Sequence, residues 1–218
     1  VRVIRHERVK YACPCCDGSI KLAARPAQII PRGLLTEAAM SWIVTAKYDD
    51  GLPLYRIAAL MGRFGGSHFN RNTLAATVVR LGAQTQPLIN LMKDLLLDSC
   101  VVHGDETQLQ VLKEPGRAAQ TKSWLWAQST EAAGAEGTGP PIRLYSYTTG
   151  RGAQAGASVW SGMREGAALM SDGYEVYNEI ARTHGLTHLA CWAHCRRYWM
   201  EALQALPKMA RTREQPAA

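Results

Sequence analysis

Val101-Val102-His103-Gly104-Asp105-Glu106-Thr107 is a short apolar run that closes on an acid, and Ala167-Ala168-Leu169-Met170-Ser171-Asp172-Gly173-Tyr174 repeats that form further along the chain. A run of this kind reads as a buried strand, so each aspartate falls where a strand reaches the mouth of a sheet. Two acids on adjacent strand ends can hold a divalent metal between them, and a two-metal site drives in-line attack on a phosphodiester. Each residue also has a bland reading: Asp105 as a solvated or capping acid, and Asp172 as an ordinary Asp-Gly turn.

The surroundings of the two runs decide between these readings. Residues 101–112 alternate as a strand does, with Thr107, Leu109 and Val111 on one face and Gln108 and Gln110 on the other. Alternation also sends Glu106 to the face opposite Asp105, as a supporting or surface acid. Residues 123–128 read as a second strand and, after the glycine-rich stretch 132–141, residues 142–148 as a third. Then come a helix over 157–164, a short strand over 167–170, a helix over 174–183, a strand over 186–190 and a helix from 193. Three meander strands followed by helix, strand, helix and strand is the order of a ribonuclease H-like core. In that arrangement the first and fourth strands are neighbours, so Asp105 and Asp172 would meet.

Upstream, residues 33–98 read as an all-helical segment. Thr36 and Glu37 open a helix whose buried face is Ala39, Met40, Ile43, Val44 and Tyr48, and Gly51-Leu52-Pro53 closes it. A second helix covers 54–64, Gly65-Gly66-Ser67 turns the chain, and a third starts near Asn72; a separate helix is expected over 87–97. Helix, glycine turn and helix, with Arg63, Arg71 and Arg80 nearby, fits a helix-turn-helix that would contact DNA, and simple helical packing is its plain alternative.

Residues 1–32 are basic and carry Cys13-Pro14-Cys15-Cys16 followed by Asp17-Gly18. The pair Cys13 and Cys16 has the spacing of half a Zn²⁺ site, whose other half would lie upstream. The alternative is an unmetallated turn. The chain thus divides into 1–32, half of a zinc ribbon; 33–98, helical; and 99–218, a partial α/β catalytic domain.

Composition limits the class. An apolar fraction of 47% over 218 residues supports a folded core, and the formal charge of +7 suits a protein that meets a polyanion. No run approaches a membrane span and no signal peptide opens the chain, so a cytoplasmic protein without membrane association is expected. Six cysteines in two clusters plus Cys100 point to metal or buried thiols rather than disulfides. The opening on Val1 and the aperiodic stretch 207–218 suggest a central fragment.

The stretch Ala190-Cys191-Trp192-Ala193-His194-Cys195-Arg196-Arg197-Tyr198-Trp199 is dense in uncommon residues. Zinc binding by Cys191 and His194 would need Cys195 or His188 as partners. The favoured reading is a helix start that buries Trp192 and Trp199, sets His194 near the carboxylates and turns Arg196 or Arg197 towards phosphate.

Gly104-Asp105-Glu106-Thr107, Ser171-Asp172-Gly173-Tyr174 and Cys191-Trp192-Ala193-His194-x-Arg196-Arg197 stand in an order that resembles transposases of the insertion sequence 66 family. Lys47-Tyr48-Asp49-Asp50-Gly51-Leu52-Pro53-Leu54-Tyr55-Arg56 is similar to a further segment of that family, and Tyr11-Ala12-Cys13-Pro14-Cys15-Cys16 to the end of its zinc-binding region. The likeness covers residues 9–206. It implies a DNA transposase with a ribonuclease H-like catalytic domain and a site of two aspartates and a glutamate that uses Mg²⁺ or Mn²⁺.

On that likeness Asp105 and Asp172 are the two aspartates, Cys191 and His194 belong to the motif after them, and His194 joins the catalytic set. Metal-dependent cleavage of DNA and strand transfer, DNA as partner, a homo-oligomer and nucleoid association follow as expectations for the intact protein. No position matches the family's glutamate: Glu175 and Glu179 follow Asp172 too closely, Glu201 lies on the Cys-Trp-Ala-His helix, and Glu214 lies in the tail. A non-catalytic DNA-binding remnant and an inactive pseudogene product are the rival readings.

Overall fold

The computed structural model describes residues 2–16, 18–65 and 69–206, so Asp17, the Gly66 and Ser67 of the expected turn, and Glu214 with the rest of 207–218 lie outside the described residues. The chain forms two compact units, Val1–Leu88 and Ile89–Ala218. No helix among the described residues is long and apolar enough to cross a membrane.

The first unit opens with a small antiparallel hairpin, β1 (Lys10–Ala12) and β2 (Ile20–Leu22), around the turn that carries Cys13, Cys15 and Cys16. Its helices start where polar side chains meet the free N–H groups of a first turn. Thr36 Oγ1 accepts from the Ala39 N–H at 3.3 Å to begin α1 (Glu37–Tyr48). Pro53, with no N–H to satisfy, stands ahead of α2 (Leu54–Arg63). Asn70 Oδ1 accepts from both Asn72 and Thr73, each at 3.0 Å, to begin α3 (Arg71–Leu97). One apolar side from each helix meets in a core of Met40, Ile43, Ala46, Ile57, Met61 and Leu74, closed by Ile30 and Leu35.

The separate helix expected from Pro87 is not separate: α3 runs unbroken from Arg71 to Leu97 with Pro87 inside it. A proline in a helix interior costs about 3 kcal/mol relative to alanine and leaves one carbonyl without its helical donor. Leu74 on one side of Pro87 and Leu96 on the other are fully buried, and burying such side chains at both ends holds the helix together.

The second unit is mixed α/β. Its sheet has five strands in the order β5-β4-β3-β6-β7. In chain order these are β3 (Val101–Gln110), β4 (Lys122–Thr130), β5 (Ile142–Thr148), β6 (Ala168–Ser171) and β7 (Thr187–Ala190). The pairs β3–β4 and β4–β5 are antiparallel, joined by the stretches 111–121 and 131–141 that contain no crossover helix, while β3–β6 and β6–β7 are parallel. The crossovers are α4 (Ala153–Val159), earlier than the 157–164 expected, and α5 (Glu175–His184), which stops at Gly185 in the left-handed region with φ 64°. The last element is α6 (Trp192–Ala205).

Alternation assigns the two faces of the sheet. Val102, Trp126, Gln128, Leu144 and Leu169 face Trp160, Tyr177 and Ile180 and are buried with them. The other face carries Val101, Tyr145, Tyr147 and Leu189, all exposed. Gly104 lies on the covered face, where a Cβ would stand 2.6 Å from Trp160 Cζ2 and 3.0 Å from Tyr177 Cε1. The glycine before Asp105 is thus a requirement of packing, because these two aromatic rings occupy the space a side chain would need.

Trp192 and Trp199 correct the sequence reading. They are 83% and 72% exposed, and α6 buries none of its residues. Periodicity marks the side of a helix suited to burial, but burial needs a facing surface, and none among the described residues covers α6.

Candidate active site beside β3 and β6

Asp105 does not close its strand as the apolar run suggests: it lies inside β3, which continues to Gln110 against β4, whereas Asp172 follows directly on β6. The parallel register pairs Val101 with Ala168, Val102 with Leu169 and His103 with Met170. Carried two residues further, it sets Asp105 level with Asp172. Each carboxylate is held by a backbone donor: Asp105 Oδ1 accepts from the Glu106 N–H at 2.9 Å, and Asp172 Oδ1 from the Tyr174 N–H at 3.0 Å.

Glu106, one residue after Asp105, turns to the covered face, and its side chain is 1% exposed. A carboxylate that far from water must be paired. Arg151, from the loop between β5 and α4, supplies the charge: its Nε donates to Glu106 Oε1 at 2.8 Å and Nη2 donates to the same oxygen. Tyr177 donates to Glu106 Oε2 at 2.5 Å. Burial first, then the Glu106 bond and charge, then the nearby charges of Asp105 and Asp172, push the Tyr177 phenol far above its ordinary pKa. Tyr177 therefore remains a donor at neutral pH.

Arg151 also reaches the segment that carries Asp172. Its guanidinium lies 3.6 Å from the centroid of the Tyr174 ring and 4.9 Å from that of Trp124, and its carbonyl accepts from Tyr174 Oη at 3.2 Å. On the far side of β6, Ser171 Oγ meets His188 Nε2 at 2.7 Å, and His188 Nδ1 meets Asn178 Oδ1 at 2.7 Å. His188, weighed as a partner in a zinc site, is committed to these contacts instead.

The remaining sequence candidates lie elsewhere. Cys191 donates its N–H to the Ser171 carbonyl at 2.8 Å, which starts α6 beside the end of β6. His194 lies in the first turn of α6, and its Nδ1 is shielded from solvent without a hydrogen-bond partner among the described residues. Asp105, Asp172 and His194 do not gather into one metal cluster: no three His, Cys, Asp or Glu among the described residues do so. Arg197, on α6, faces Glu201 at 4.0 Å and the Tyr198 ring; Arg196 is its exposed neighbour.

In the first unit, Arg63 ends α2 and Arg71 begins α3, while Arg80 lies further along α3 and donates to the Pro31 carbonyl at 3.3 Å. The Cys15 backbone N–H, aided by Cys16, holds the Cys13 thiol below its ordinary pKa.

Arg151 and Tyr177 escaped the sequence reading, and Tyr174 entered it only as a member of the Ser171-Asp172-Gly173-Tyr174 motif. A lone arginine between Gly150 and Gly152 was the available signal, since a charged residue in a glycine turn next to a strand end has a short path back to it.

The family model described as Transposase IS66 family matches residues 32–216. Two proteins of Sinorhizobium fredii, both called uncharacterized, are similar: y4qI is 37% identical over 203 residues and y4jD 30% identical over 210 residues. These alignments take in 90% and 94% of this chain but 37% and 40% of the relatives, so the chain spans well under half the length of either. Among solved structures, a chain of the simian T-cell lymphotropic virus intasome, determined by cryoEM in complex with PP2A regulatory subunit B56 gamma, aligns with 62% of this chain and 54% of its own. At 11% identity and a TM-score of 0.27 that likeness is too slight to bear on fold or function.

Proposed function

Since the chain belongs to the transposase IS66 family, we propose that its second unit is the ribonuclease H-like part of a DNA transposase in which Asp105 and Asp172 are the first two metal-binding carboxylates. One observation carries this reading: β3 and β6 are parallel neighbours whose register brings the two aspartates level. Function cannot be taken from the sheet, since one fold serves many chemistries. An acid within β3 level with one that follows β6, in a chain of this family, is what narrows it.

The donor set suits a hard divalent cation. Each aspartate spends Oδ1 on a backbone N–H, which leaves Oδ2 for a metal, and Mg²⁺ is commonly held by one or two carboxylates with water and substrate phosphate completing the shell. Mg²⁺ or Mn²⁺ bound there would supply Lewis acidity to phosphoryl oxygens. The two aspartates bind and orient, and the Glu106 and Tyr174 N–H groups fix the oxygens that do so. No third acid joins the pair among the described residues, so DNA cleavage and strand transfer are proposed for the whole protein, with His194 in a supporting place at the start of α6.

DNA contact is assigned chiefly to the first unit. Residues 1–88 hold twelve Lys and Arg against five Asp and Glu, and the rest of the chain holds thirteen of each, so the entire surplus of +7 lies in the first unit. Arg63, Arg71 and Arg80 are the proposed phosphate contacts there, with Arg196 and Arg197 on α6 as further ones. Cys13 and Cys16 are proposed as half of a Zn²⁺ site. A homo-oligomer and a place at the nucleoid belong to the same reading.

In a full-length protein carrying this segment, Asp105→Ala and Asp172→Ala are each expected to abolish strand transfer while leaving DNA binding intact, and undiminished transfer by either variant would sink the assignment. Gel shifts with element-end DNA across a salt series test the charge argument: affinity is expected to fall steeply with salt as phosphate contacts are screened. A flat response, or no binding at low salt, removes the first unit from DNA recognition.

A further inference from the structure

Asp105 and Asp172 sit on segments that nothing in the backbone ladder joins beyond His103 and Met170. What joins them is a side-chain clamp on the covered face of the sheet, just past the end of the β3–β6 ladder. Arg151 ion-pairs with Glu106, the residue after Asp105, and stacks on Tyr174, whose N–H holds Asp172. Tyr174 Oη returns to the Arg151 carbonyl, and Tyr177 fills the second oxygen of Glu106. The path from one aspartate to the other is continuous: Asp105, Glu106, Arg151, Tyr174, Asp172.

We propose that Arg151 is a positioning residue for the two-aspartate site, holding the separation of Asp105 and Asp172 through Glu106 and Tyr174 without itself touching metal or DNA. The proposal rests on the metal-site reading of the two aspartates. A planar guanidinium meets both demands of the place. Its edge donates twice to one carboxylate while its face lies on an aromatic ring, a combination that an ammonium cannot reproduce. The Arg151 backbone is tied in as well, since its carbonyl accepts from Tyr174 Oη at 3.2 Å. Ionic partners one step behind a metal ligand commonly change metal affinity by about 10- to 100-fold when they are altered.

The test uses the 218-residue chain with Mn²⁺ as probe, its binding followed by electron paramagnetic resonance and folding followed by thermal melting. Arg151→Lys keeps a cation against Glu106 and loses the fork and the stack; Glu106→Gln keeps the shape and loses the charge. The two variants approach the clamp from opposite ends, so one remains informative if the other does not fold. Either folded variant is expected to bind Mn²⁺ about tenfold more weakly at near wild-type melting temperature, whereas Asp105→Asn abolishes binding. Wild-type affinity in a folded Arg151→Lys or Glu106→Gln chain, with Asp105→Asn inactive in binding, overturns the clamp and leaves the aspartate pair standing. A wild-type chain that takes up no Mn²⁺, or one whose binding survives Asp105→Asn, overturns the pair and the clamp together.

Discussion

Tyr177 on α5 and Glu106 on β3 share a 2.5 Å hydrogen bond on the covered face of the sheet, and it ties the second crossover helix to the strand that carries Asp105. Tyr177→Phe removes the donor and leaves a buried carboxylate oxygen short of a partner. A loss of about 1–3 kcal/mol is expected in urea unfolding. The same bond sets an alkaline limit. The folded pKa of Tyr177 is raised above that of an unfolded tyrosine, near 10, so its contribution is complete below about pH 10 and declines as pH rises beyond that. Wild-type stability should fall above pH 10 more steeply than that of Tyr177→Phe; parallel pH profiles would refute the role given to this phenol.

Gly104→Ala places a methyl group against Trp160 and Tyr177, two rings with no solvent side to retreat to. Overpacking of this kind costs about 1–3 kcal/mol, and chemical denaturation should show a lower midpoint at unchanged slope. A midpoint equal to that of wild type would mean that the rings can part without strain.

The tryptophans differ in exposure. Trp126 and Trp160 are fully buried and Trp124 is half-buried, while Trp42, Trp192 and Trp199 are exposed. Acrylamide should quench a red-shifted component of the fluorescence, and in a Trp42→Phe background replacing Trp192 and Trp199 together by phenylalanine should remove most of that component. A quenchable emission unchanged between the Trp42→Phe protein and the triple variant would show that α6 is covered.

The apolar runs at 101–105 and 167–172 revealed their strands because a strand buried on one face shows a branched or bulky residue at alternate positions, although Asp105 does not end β3 as such a run suggests. The adjacency of β3 and β6 followed from element order, as parallel connections leave few arrangements. What the sequence did not disclose depends on approach in three dimensions. Arg151 is far along the chain from both Glu106 and Tyr174, and no spacing rule links them. Pro87 marks a break in the sequence because the local cost of proline is real, yet anchoring at Leu74 and Leu96 outweighs it. The size and apolarity of Trp192 and Trp199 favour burial, but that preference says nothing about whether a partner surface is there.

One consequence of Pro87 concerns cooperativity. It lies next to the division between the units at Leu88 and Ile89, each unit has its own apolar core, and the two cores share no residue. A helix that lacks a hydrogen-bond donor at that point is a poor conductor of order from one core to the other. Heat should therefore melt this chain in two steps, with a calorimetric enthalpy larger than the van't Hoff value taken from either transition. A single transition with equal enthalpies would show that α3 welds the cores into one folding unit despite its missing rung.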